Sequence, residues 1–184
     1  MHRKIFAIIG VAFAAGVALA QDNLADGFET AVNDTGAIRL PDVDFRAEWT
    51  MLGTFSIAGE EGAEGLHVVY TQPGVAQTYR ETGTFPDGAV LVKELLETTT
   101  EALTTGTVSY AADTSGWFVM VKSGEPRFED NPLWGDGWGW AYFDAEDRAS
   151  PLTTDYKAEC KACHIPAQKT DWVYVRGYPV LKSR

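Results

Sequence analysis

Cysteine is nearly absent from this chain: two residues, Cys160 and Cys163, in 184, too few for a disulfide-stapled extracellular module. Histidine is almost as sparse, at positions 2, 67 and 164. Positive charge is short as well, with 15 Lys and Arg against 26 Asp and Glu, a formal charge of −11. That balance argues against nucleic acid or an anionic membrane as partner, and favours plain solubility or docking with a basic redox protein. No internal repeat or low-complexity tract divides the chain. It therefore reads as one domain, large enough to bury a core and enclose a cofactor.

A membrane-spanning run is missing too. The apolar stretch Ile5 to Val17 falls short of the roughly 18 residues a spanning helix needs. It follows the basic His2-Arg3-Lys4 and precedes the small-residue site Ala18-Leu19-Ala20, so residues 1–20 read as a cleaved export signal. Losing Arg3 and Lys4 with that leader makes the mature chain still more acidic, with no membrane attachment.

Against these absences, Cys160-Lys161-Ala162-Cys163-His164 stands out, because five residues hold both thiols and one of the three imidazoles. Two thiols three positions apart on a helical turn can add to the two vinyl groups of one haem, and the adjacent imidazole then serves as axial ligand to iron. Three other readings compete. A thioredoxin-like dithiol uses the same spacing. A zinc site needs two more ligands, and only His67 remains once His2 leaves with the leader. A structural disulfide suits an oxidising compartment but leaves the position of His164 without purpose. Covalent haem c in an exported protein explains all three residues together and places the chain in a bacterial periplasm.

Residues 21–40 carry few large apolar side chains and several Gly, Asn and Asp, so a mobile lead-in is expected there, with the domain spanning 41–184. Asp42 or Asp44 can cap a short helix through Phe45 and Trp49. Strands are expected at Met51 to Ile57, Leu66 to Tyr70, Ala89 to Leu96, Thr107 to Ala111, Trp117 to Val121 and Ala141 to Phe143. Pro73 suits the start of a helix ending at Gly83, and Phe85-Pro86-Asp87-Gly88 is a turn. Asp155 to Cys163 reads as the helix bearing the cysteines, capped by Thr153 or Thr154 and ended by Pro166, with Trp172 to Val175 returning to β. The sum is a mainly β (α+β) domain: an antiparallel sheet with about three short helices, unlike the helical core of an ordinary small cytochrome c.

The run Phe85-Pro86-Asp87-Gly88-Ala89-Val90-Leu91-Val92-Lys93, the glycine and tryptophan segment around Trp138 and Trp140, and the late Cys160 to His164 motif, in that order, resemble the cytochrome P-460 family, which includes the cytochromes c′-beta. The resemblance runs from about Asp44 to Leu181. It implies a β-rich, homodimeric periplasmic protein with one haem c, a proximal histidine at His164 and an open distal site. Members either oxidise hydroxylamine or bind small gases such as nitric oxide.

Within that resemblance, Lys93 occupies the place of a lysine that is bonded to the haem ring in hydroxylamine-oxidising members. Period-two geometry puts it on a face with Leu91 and Leu95, opposite Val90, Val92, Glu94 and Leu96. An ammonium on an apolar face costs free energy unless it is paired, neutralised or consumed; the alternative is an edge position from which it snorkels. His67 shares its strand face with Val69 and Thr71 and matches a distal arginine of those members. A sixth iron ligand, a proton-transfer group and a hydrogen-bond donor are its candidate roles, against a half-exposed histidine with none. The distal carboxylate of the oxidising members falls within Trp117-Phe118-Val119-Met120-Val121, which contains no acid. Phe118 and Met120 make that wall apolar, unless they are ordinary core. Two other functions stay open: an electron-transfer cytochrome with Met51, Met120 or His67 as second ligand, and a non-catalytic gas-binding or buffering protein.

Overall fold

A computed structural model describes residues 27–182, so the leader assigned to residues 1–20 lies outside the described residues. Six antiparallel strands form one sheet in the order β1-β2-β3-β4-β6-β5. They are β1 (Thr50–Ala58), β2 (Ala63–Thr71), β3 (Val90–Leu103), β4 (Gly106–Lys122), β5 (Trp134–Gly135) and β6 (Trp138–Asp144). Short helices occupy residues 27–31 (α1), Phe45–Glu48 (α2), Val75–Thr82 (α3), Tyr156–Glu159 (α4) and Lys161–His164 (α5). The expected mainly β, antiparallel architecture is what forms, with five helical segments rather than three. No helix among the described residues is long and apolar enough to cross a membrane.

Local chemistry accounts for most boundaries. Asp44 caps α2 by accepting the Ala47 N–H. Gly83, at φ 78°, ends α3 with its N–H on the Tyr79 carbonyl. In the turn before β3, Ala89 N–H reaches the Pro86 carbonyl while Gly88 takes φ 81°, a value that Cβ-bearing residues resist.

Four expectations need correction. Thr107 to Ala111 and Trp117 to Val121 are not separate strands but parts of the 17-residue β4, because continuous pairing with β3, relieved by bulges at Leu95–Thr98, carries the chain across Asp113 to Gly116. The segment from Asp155 to Cys163 is two single turns that meet at Cys160, and Asp155 rather than Thr153 or Thr154 is the cap, accepting the Lys157 N–H. Pro166 does not end the helical path. It sits in the first turn of a 3₁₀ segment, Ile165–Thr170, where no N–H is needed. Trp172 to Val175 is not a strand: Asp171 and Trp172 both adopt positive φ (57° and 66°), and 3₁₀ turns follow at Val175–Gly177 and Pro179–Leu181.

The lead-in also differs from expectation. Within its described part, Ala31, Val32, Ile38 and Leu40 are buried and Phe28 packs against them, so residues 27–40 cover one face of the sheet. That face carries Val90, Val92, Val119 and Val121. The opposite face carries Val69, Leu91 and Met120 and is closed by α3 and the C-terminal segment.

One charge lies inside the covered face. Glu94, 1% exposed, receives two bonds from Arg46 (3.0 and 2.5 Å) and one each from Thr114 and the Trp117 indole (3.1 and 3.3 Å). A buried carboxylate tolerates this only while its partner remains. Arg46→Met should therefore destabilise the protein by about 3 kcal/mol, read as a lower urea midpoint with unchanged slope. The double variant Arg46→Met/Glu94→Gln should recover much of the loss.

Candidate functional site

Strand pairing brings side chains distant in sequence onto one surface. Leu91 pairs with Met120 and Met120 with Trp140; Val69 pairs with Lys93 and Lys93 with Phe118; Phe55 pairs with His67. Cross-strand partners project to the same side, so these three rows tile the sheet face that α4, α5 and the C-terminal 3₁₀ segments overlie. Between the two layers lies a cavity of about 460 Å³. The sheet lines it with Phe55, Ile57, His67, Lys93, Phe118, Met120 and Trp140, and the C-terminal segment with Cys160, Cys163, His164, Val173, Tyr174 and Tyr178.

Every site residue singled out from the sequence, namely His67, Lys93, Phe118, Met120, Cys160, Cys163 and His164, lines this cavity. Met51 does not; its side chain is half exposed on β1, which removes it as a second iron ligand.

The Lys93 and Glu94 faces are as period-two geometry predicts, but Lys93 is not at an edge. It stands on β3, third of six strands, and cannot snorkel past a strand end. Its Nζ lies 4.3 Å above the centre of the Phe118 ring, a cation–π contact. Among the described residues no carboxylate pairs with it. Burial pushes its pKa below the ordinary lysine value, and the thiols of Cys163 and Cys160 only oppose that.

His164 is held by its backbone surroundings. Its Nδ1 lies 2.7 Å from the Trp172 carbonyl oxygen. A carbonyl only accepts, so Nδ1 carries the proton and the Nε2 lone pair is free. Trp140 meets the ring edge-on at 4.7 Å between centroids. Burial lowers the His164 pKa, keeping the imidazole neutral. Both thiols are free, Cys160 buried and Cys163 exposed, so they form no disulfide. Burial pushes the Cys160 thiol up to about 11, which suits an inert thiol rather than the lowered pKa of a redox-active dithiol. No three His, Cys, Asp or Glu side chains among the described residues converge on one point, so the thiols and imidazole are spread along the wall rather than gathered as a zinc cage.

Sequence reasoning missed one carboxylate, Glu159, and the aromatic residues Phe55, Tyr174 and Tyr178. Glu159 lines the cavity but spends Oε1 on the Thr154 hydroxyl and on the N–H groups of Thr154 and Asp155. It caps α4 and its pKa is lowered by those donors, so it is not a poised base. A Thr-x-x-x-x-Glu spacing before a helix was the available signal. Tyr174 and Tyr178 were obscured by the strand assigned to Trp172 to Val175.

The chain matches the cytochrome P460 family model over residues 43–175. It belongs to that family. The family is one of haem proteins that act on small nitrogen species. No individual curated protein matches the chain significantly. A haem needs an apolar slot, an imidazole with a free nitrogen and, for thioether attachment, reduced thiols beside it. The cavity walls, the free Nε2 of His164 and the two unpaired cysteines fit those requirements.

The His67 imidazole is displaced from its ordinary pKa of 6.5 downward, by burial and then by the charge of Lys93. On acidification the unfolded chain therefore takes up its proton first, and stability present above pH 6.5 is lost as pH falls toward the folded-state value. His67→Leu should lose less stability than the unsubstituted protein between pH 7.5 and about 5, measured by urea unfolding across that range.

Proposed function

We propose that the protein is an exported mono-haem c-type cytochrome, tethered through Cys160 and Cys163, with His164 Nε2 as the proximal iron ligand and a small nitrogen species as its ligand or substrate. The reading rests above all on one observation: a proton-fixed imidazole, two free thiols and a lysine with no carboxylate partner among the described residues line one apolar cavity. When bound, haem supplies an iron centre that takes up small ligands and exchanges electrons.

The chain's own groups define what happens around it. The Trp172 carbonyl holds His164 in the tautomer that presents Nε2. Phe55, Phe118 and Met120 exclude water and give a wall suited to a small neutral molecule. His67, kept neutral at physiological pH, is the group able to accept a proton from an N–H or O–H bond of hydroxylamine, since the 117–121 strand offers no acid and Glu159 is engaged in capping. Lys93 would be the residue for a covalent link to the haem, as the family resemblance implies, and its lowered pKa favours the free amine such a link would need. Hydroxylamine oxidation is thus the enzymatic form of this reading. Nitric oxide binding is the non-catalytic form, favoured by the acid-free wall around Phe118. Periplasmic location, assembly as a homodimer and electron transfer to a partner cytochrome belong to the same proposal. A six-coordinate electron carrier is the remaining alternative, with His67 or Met120 as second ligand.

Haem-loaded protein mixed with hydroxylamine and a redox dye should reduce the dye, and His67→Leu should slow this roughly 100-fold. Absence of turnover with ready nitric oxide binding by the ferrous form assigns the binder instead; a low-spin spectrum indifferent to carbon monoxide assigns the electron carrier. Lys93→Ala should change the Soret band and the intact mass if the lysine is joined to haem, and neither if it is not.

A further inference from the structure

The acceptor that fixes the His164 tautomer belongs to an unusual turn. Asp171 and Trp172 are consecutive non-glycine residues with φ of 57° and 66°. Each is a conformation in which Cβ crowds the backbone, and such pairs persist only where surrounding contacts over-determine them. Here the contacts converge on the Asp171 carboxylate. Lys122 Nζ, at the end of β4, lies 2.6 Å from Oδ1, with the two side chains only 14% and 10% exposed. The Phe85 N–H donates to Oδ2 at 3.0 Å, and the Trp138 indole N–H reaches Oδ1 at 3.4 Å. Lys122 also lies over the Trp138 ring, 4.9 Å from its centre. The main chain on the other side is anchored by the Trp172 N–H on the Ala167 carbonyl, 2.9 Å.

We propose that the buried Lys122–Asp171 pair is a positioning device for the proximal imidazole: it locks the left-handed Asp171–Trp172 turn and so aims the Trp172 carbonyl at His164 Nδ1. Neither side chain touches the imidazole. They act through one peptide unit, on a bond of 2.7 Å. A fixed Nδ1–H···O bond raises the electron-donating power of the imidazole and holds its plane, which strengthens the bond to iron and favours the ferric state. This inference rests on His164 being the iron ligand.

The test uses haem-loaded protein carrying Lys122→Met, Asp171→Asn, the double variant of both, and Lys122→Arg. The double variant leaves no uncompensated buried charge, so it carries the test if a single variant fails to accumulate. The readouts are the iron–histidine stretching frequency of the ferrous form by resonance Raman, the midpoint potential, and Tm. The expected result is a lower stretching frequency and a higher potential in the first three variants, with Lys122→Arg close to the unsubstituted protein. A fall in Tm with frequency and potential unmoved would overturn the positioning role and leave a structural ion pair. An unsubstituted protein without any iron–histidine stretch would overturn the assignment of His164 and this inference with it, so the two failures are distinguishable.

Discussion

Alternation along one central strand is the constraint on which the rest of the structure depends. Successive residues of β3 must face opposite sides, so the adjacent charges Lys93 and Glu94 are driven to opposite faces of the same sheet. The two faces treat them differently. Glu94 is buried and is neutralised by Arg46 and further donors on the face that residues 27–40 help to cover. Lys93 has no such partner among the described residues and looks across Phe118 into a cavity. One side of the sheet is therefore finished as core, and the other is held open with a charge that burial makes costly. A fold that needed only stability would gain by replacing that lysine with an apolar residue.

The sheet cannot complete the site alone. Its strands present rows of side chains on a rigid surface, but the imidazole proposed as iron ligand must stand off that surface and face it. The C-terminal segment supplies this by departing from regular structure. Two single helical turns meet at Cys160, a 3₁₀ run follows, and the chain then reverses through two left-handed residues. Each irregularity has a local chemical cause, from the Asp155 cap to the Asp171 carboxylate, and together they bring a backbone carbonyl to His164 instead of to another strand.

This division explains what was legible in the sequence. The motif at Cys160 to His164 was readable because the thiols and imidazole are rare and contiguous, and the faces of β2 and β3 because period-two patterning survives without knowledge of partners. Lys93, His67, Phe118 and Met120 followed from that patterning together with the family resemblance. What failed was whatever depends on remote partners. Asp113 to Gly116 has turn composition, yet pairing with β3 draws it into β4. Trp172 to Val175 has strand composition, yet no strand is available to pair with it, and Lys122, some fifty positions away, stabilises a turn there. Residues 27–40 looked too polar to fold, because four buried apolar residues are few in composition but sufficient when a sheet face awaits them.

The cavity's electrostatics restrict its chemistry further. His67 and Lys93 face the same space, and after burial it is the charge of Lys93 that lowers the His67 pKa. At neutral pH the imidazole is the group that gives way, because its ordinary pKa is the lower of the two. A neutral imidazole beside a buried amine, with the Glu159 carboxylate committed to the donors at the start of its own helix, forms a pocket with a proton acceptor but no uncommitted anion among the described residues. Such a pocket does not hold a cationic ligand well. Hydroxylamine and nitric oxide are both uncharged at neutral pH, so in the proposed function discrimination between them would fall to hydrogen bonding at His67 rather than to charge, and a single side chain would separate a pocket that takes protons from one that only binds.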